Sequence, residues 1–130
     1  MSKLNTILKR LTDLVQVQED EYRCNEECVY SKRLEFLIAL VEELGIPYEI
    51  DTWGYEGEAY FHNLVLPGTS RKMVVAHYDV FNVNSHNAND NSASVINAIA
   101  LKVLQPEVNV VLTDGEELYD QEGARRVALR

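Results

Sequence analysis

Only two cysteines occur in the 130 residues, Cys24 and Cys28, too few for the disulfide framework on which small secreted domains rely. Their spacing puts them one helical turn apart, and with no further cysteine to accompany them they read as reduced thiols, one or both partly buried, rather than as a metal pair. Basic residues are scarce as well: 12 Lys and Arg stand against 21 Asp and Glu, for a formal net charge of −9. Binding a phosphate backbone needs clustered cations that release counterions on contact. No such stripe occurs, so nucleic acid is not an expected partner. Part of the acidity sits in Glu19-Asp20-Glu21 and Glu26-Glu27, a solvated helix flank or loop rather than a binding tail. Long hydrophobic runs are also missing. Met1-Ser2-Lys3-Leu4-Asn5 opens no signal-peptide hydrophobic region, and the most apolar helical pattern is interrupted by Glu35, Glu42 and Glu43. No membrane-spanning segment is therefore expected, and the expected compartment is cytoplasmic. There is no internal repeat, low-complexity tract or linker.

What is present is enough for one globular domain: 46% hydrophobic and 25% charged residues can bury a real core. Leu4, Ile7, Leu8, Leu11, Leu14 and Val15 recur at three- and four-residue steps behind a capping Ser2, which predicts an amphipathic first helix. A second helix is predicted from about Asn25 to Leu44, with a stripe of Leu34, Leu37, Ile38, Val41 and Leu44, stopped by a left-handed Gly45 and by Pro47. Strands follow at Tyr48 to Trp53 and Tyr60 to Leu66, around a turn at Gly54 to Gly57 and closed by Pro67-Gly68. The continuous apolar run Met73-Val74-Val75-Ala76 suits a strand buried on both faces. After an Asn-rich loop from Asn82 to Asn91, the apolar positions from Ala93 to Leu104 predict a helix stopped by Pro106, then a buried strand at Val108 to Leu112 and a last helix near Glu122 to Arg130. That alternation predicts a layered α/β fold, a mixed sheet flanked by helices in a single domain over residues 1–130.

Three short pieces carry chemistry. His77 and Asp79, two apart where an apolar run ends, can lie side by side, and an acceptor on one imidazole nitrogen fixes the tautomer of the other. Asp90 stands between Asn89 and Asn91 before a helix start, and Glu116-Glu117 follows the next apolar run. Each has a plainer reading: a polar turn for His77 and Asp79, a helix cap for Asp90, a solvated acidic turn for Glu116-Glu117. Their common position changes the balance, because all fall just beyond strand carboxyl ends or at the following helix start, where open α/β sheets gather functional groups. His62, within a strand pattern, reads as a structural or surface side chain, and His86 as loop or substrate rim. Trp53 and the tyrosines around it read as packing at a strand edge.

The runs Val74-Val75-Ala76-His77-Tyr78-Asp79, Asn87-Ala88-Asn89-Asp90-Asn91-Ser92-Ala93-Ser94 and Leu112-Thr113-Asp114-Gly115-Glu116-Glu117 together resemble the di-zinc aminopeptidases of the zinc exopeptidase superfamily, over roughly Asn63 to Arg125. The resemblance implies a phosphorylase/hydrolase-like fold of the zinc exopeptidase type and a peptide substrate cleaved after its amino-terminal residue. It implies that His77 binds one zinc with Asp79 orienting it, that Asp90 bridges both ions, and that Glu117 binds the second. Glu116 would be the general base on a metal-bridging water, and the Asp90–Asn91 peptide could be cis.

Two departures bear on that implication. Ser94 stands where relatives usually have Gly. Relatives also take one further acid and one further His from beyond the Glu-Glu pair, whereas Leu118 to Arg130 contains no His and Asp120 is too near Glu117 to match the acid. A catalytic zinc has about three protein ligands, while His77, Asp90 and Glu117 supply two to each ion. The expectation is an incomplete fold and site, a fragment or truncated relative that binds zinc weakly and has little peptidase activity unless a missing segment or partner chain completes it. Two alternatives remain open: a glutaminyl-cyclase-like acyl-transfer enzyme using one zinc on a similar fold, and a degenerate non-catalytic domain whose acidic sheet edge serves protein interaction.

Overall fold

A computed structural model describes residues 2–16, 30–54, 60–79, 91–115 and 122–128. Helix α1, Lys3–Gln16, starts where the Ser2 hydroxyl accepts the Asn5 N–H at 3.2 Å, satisfying one of the donors a helix start leaves open. Ile7 and Leu14 of its apolar stripe are fully buried, but Leu8 is exposed. Period alone assigned Leu8 to the core; it lies at the margin of the stripe, outside the packed arc.

Helix α2 spans Lys32–Glu43, a later start than Asn25. Ser31 is extended (φ −67°, ψ 160°) and accepts the Leu34 N–H, so the capping serine, rather than the acidic segment before it, sets the boundary. At the other end Gly45 takes φ 70°. The Gly45 and Ile46 N–H groups return to Glu42 O and Val41 O at 3.1 and 2.9 Å, the closure that a left-handed glycine permits.

Strands β1 (Glu49–Gly54), β2 (Tyr60–Leu66), β3 (Met73–His77) and β4 (Asn109–Thr113) form one sheet in the order β1-β2-β4-β3. β1 and β4 each pair antiparallel to β2, whereas β3 runs parallel to β4, with His77 opposite Thr113. Helix α3, Ala93–Leu104, lies between β3 and β4 in the chain, as a parallel pair requires of its crossover. The architecture is a four-stranded mixed sheet flanked by helices.

The core lies on one face of the sheet. Leu64, Leu66, Val110, Leu112 and Ala76 pack there against α1, α2 and α3 through Ile7, Leu14, Leu37, Val41, Ile96 and Ile99. Helix α4, Glu122–Ala128, takes the opposite face over β1 and β2: Asn63 donates to Gly123 O at 3.0 Å, and Arg126 grips Asp51 with two bonds of 3.1 and 3.2 Å. Trp53 stacks on Phe61 with centroids 5.6 Å apart, donates to Glu122 at 3.0 Å and lies under the Arg126 guanidinium.

The expectation that β3 is covered on both faces is overturned. Met73 and Val75 are 51% and 45% exposed, because β3 is a terminal strand of the sheet and these two side chains point to the α4 face beyond the reach of α4. An unbroken apolar run does not distinguish a central strand from an edge strand with one covered face. Among the described residues no helix is long and apolar enough to cross a membrane.

Candidate functional site

The parallel pairing of β3 and β4 brings their carboxyl ends to one rim of the sheet, where the Tyr78 N–H donates to Thr113 O at 2.9 Å. His77 ends β3 at this rim, and Asp79 follows two residues later, 4% exposed. Imidazole Nδ1 lies 3.1 Å from the Asp79 main-chain oxygen and 3.6 Å from its carboxylate Oδ1. The hydrogen bond is therefore made to the carbonyl, while the carboxylate stands behind it at ion-pair distance. A carbonyl can only accept, so Nδ1 carries the proton and the lone pair of the neutral ring is on Nε2. Asp79 thus sets the tautomer, through its backbone more than through the carboxylate the sequence pointed to. An imidazole so held is suited to a metal ion or to proton transfer.

Tyr78, between the two, is locked. Its ring is 1% exposed, its hydroxyl donates to His62 O at 2.6 Å, and its carbonyl accepts from Arg33 Nε. Each bond fixes the peptide on which His77 and Asp79 both depend. The start of α3 meets the same turn: Asn91 Nδ2 donates to His77 O at 3.3 Å, and the Ser92 hydroxyl accepts from Arg33 at 3.1 Å. Ser92 has helical backbone angles and makes no capping bond, its oxygen being committed to the guanidinium. Ser94, the departure from the resembled pattern, is exposed and meets no packing conflict.

The carboxyl end of β4 is built differently. Gly115 takes φ 74°, and the Asp114 carboxylate accepts the Gly115 and His62 N–H groups at 2.8 and 3.0 Å. Glu122 N–H donates to Gly115 O and Gly123 N–H to Asp114 O, at 3.1 and 2.7 Å. Asn63, 1% exposed, bridges the same two chain segments by accepting from Asp114 N–H and donating to Gly123 O, both at 3.0 Å. The neck of the segment that carries Glu116 and Glu117 is thereby closed.

Of the five candidate site residues, the structure brings His77 and Asp79 together; Asp90, Glu116 and Glu117 lie outside the described residues, as do His86, Asp120, Cys24, Cys28 and the Gly57 end of the predicted turn. Among the described residues no three His, Cys, Asp or Glu side chains are grouped to hold a metal ion. His62 is structural, 3% exposed, with Nδ1 2.9 Å from the Thr52 hydroxyl and its ring edge-on to Tyr30.

Sequence reasoning missed Arg33, Asn63 and Asp114, which support the rim. Arg33 had a signal: it falls on the same helical stripe as Leu37, Leu40, Val41 and Leu44, where a charge is out of place unless it is bonded inside. Asn63 and Asp114 offered none, since an amide in a strand and an acid before a glycine are ordinary. No family model matches the chain, and no curated protein matches it at a significant level.

Proposed function

We infer that the chain is a metal-dependent hydrolase domain of the zinc exopeptidase type, aminopeptidase-like, acting on the amino-terminal peptide bond of a peptide. The observation that supports this most is the 3.3 Å bond from Asn91 to His77 O, which ties the residue following Asp90 to the main chain of His77 at the carboxyl end of the parallel strands. In this reading His77, Asp90 and Glu117 hold two zinc ions and Glu116 is the general base. Zinc there would polarise the scissile carbonyl and lower the pKa of the attacking water. His77 fits the role because its Nδ1 proton is committed to Asp79 O, leaving the basic lone pair on Nε2. Asp79 orients the ring, and Glu116 moves the proton from water to the leaving amine. These ligands number two for each ion where a catalytic zinc has about three, so the polypeptide by itself binds zinc weakly and hydrolyses slowly.

The test is zinc-dependent release of a chromogenic amine from an aminoacyl anilide, with zinc binding followed by the ring signals of His77. Weak, zinc-dependent turnover lost in Glu116→Gln is the expected result. Turnover unchanged by that substitution rejects the assigned base, and absence of any zinc-induced shift at His77 rejects the metal site. Tight binding of two ions to the isolated chain would contradict the ligand count. The exposure of Met73 and Val75 on the edge strand favours one second reading, a non-catalytic interaction domain of the same fold, which predicts no turnover under any of these conditions.

A further inference from the structure

Arg33 is fully buried and reaches three separate parts of the chain from the first turn of α2. Its Nε donates to Tyr78 O, Nη1 to Leu14 O at 3.1 Å and Nη2 to Ser92 Oγ at 3.1 Å. Leu14 O belongs to the last turn of α1, where carbonyls have no partner within the helix. Tyr78 O lies between His77 and Asp79, and Ser92 comes two residues after Asp90. A guanidinium is planar, and its donors are set at fixed spacing. One rigid group therefore fixes the distance between the His77–Asp79 turn and the start of α3.

We propose that Arg33 is a positioning residue for His77: its fork ties the Tyr78 carbonyl to the Ser92 hydroxyl and to the end of α1, and so holds the turn on which the imidazole depends in the orientation that presents it to a metal ion. This rests on the metal-hydrolase reading. A helix packed only by apolar contacts would need no such group, and burying a guanidinium is costly unless its donors are all used. Lysine, a point charge on a flexible stem, can occupy the space without reproducing the planar fork.

The experiment compares wild type, Arg33→Lys, Ser92→Ala and Lys102→Met, the last at the opposite end of the sheet. Two quantities are read by NMR at pH 8: zinc affinity at His77, and the fraction of His77 carrying its proton on Nδ1. Loss of a group that orients a metal ligand typically costs about 10–100-fold in affinity. Arg33→Lys is expected to weaken zinc binding about 10-fold and to lower the Nδ1–H fraction, Ser92→Ala to do the same more mildly, and Lys102→Met to reduce stability with both readings unchanged. Should Arg33→Lys fail to fold, Ser92→Ala carries the comparison. Unchanged affinity and tautomer in the folded Arg33 or Ser92 variants would overturn the proposal, as would equal losses in Lys102→Met. If wild type shows no zinc response at His77, the metal reading fails, while the tautomer measurement still decides whether Arg33 positions the imidazole.

Discussion

Gly123→Ala should destabilise the protein, although alanine in a helix is ordinarily worth about 1 kcal/mol over glycine. A Cβ at this position would lie 2.3 Å from Asp114 O and 2.6 Å from both Asn63 Oδ1 and Asp114 N. Two of these three atoms are backbone, and the third belongs to a buried side chain, so none can swing away. Ordinary contact begins near 3.4 Å, and α4 would have to withdraw by roughly 1 Å to restore it. Withdrawal breaks Gly123 N–H to Asp114 O, Asn63 to Gly123 O and Glu122 N–H to Gly115 O. At about 1 kcal/mol each, these lose roughly 3 kcal/mol against the 1 gained, a net loss of about 2 kcal/mol. Urea unfolding followed by Trp53 fluorescence measures it, since the Trp53 indole bonds to Glu122 and reports on the α4 contact directly. Amide exchange at Gly123 should accelerate in parallel. A variant more stable than wild type by about 1 kcal/mol, as at an open helical glycine, would refute the account of the neck.

Two further substitutions test the supports on either side of the sheet. Lys102, 5% exposed, donates to Pro67 O at 2.7 Å, to Val108 O at 2.8 Å and to Pro106 O; Lys102→Met should cost about 2–4 kcal/mol in urea unfolding, because Val108 O stays buried without its donor while the other two carbonyls can take water. Burial pushes the Lys102 ammonium below the ordinary lysine value, with Glu107 opposing. Between that depressed value and the ordinary one the unfolded chain binds more protons, so wild-type stability measured relative to Lys102→Met should rise with pH across that window and be least favourable below it; a flat or falling difference would show that burial does not dominate. Tyr78→Phe removes the donor to His62 O and should cost about 1–2 kcal/mol by the same assay, with no loss at all counting against the lock on the His77–Asp79 turn.

Much of the fold was legible because its elements begin and end on local chemistry. Ser2, Gly45, Pro67-Gly68 and Pro106 all act within a few residues of where they stand, and β2 and α3 run as the pattern predicts. The errors came where tertiary arrangement decides. Nothing in Met73-Val74-Val75-Ala76 tells that β4, rather than β3, is inserted beside β2, and Leu8 is apolar whether or not a neighbour covers it. At the site, the spacing of His77 and Asp79 was enough to predict their contact, but not that the backbone oxygen would be the closer acceptor. The supports could not be found by spacing: Arg33 reaches residues 19, 45 and 59 positions away.

The two ends of the rim are held by separate groups that meet in one residue. On the β3 side, Arg33 and the Tyr78 hydroxyl fix the turn around His77; on the β4 side, Asn63 and Asp114 close the neck before Glu116. His62 joins them, since its carbonyl accepts from Tyr78 and its N–H donates to Asp114. A strand residue normally spends both groups on its ladder; here side chains take one bond on each, in a position just before β2 begins its paired stretch with β4 at Leu64 opposite Leu112. The buried imidazole against Tyr30 and Thr52 anchors that residue from the core face. A histidine without chemistry of its own thus links the two segments that carry the candidate ligands, and the rim is held by residues that are not ligands in the proposed site.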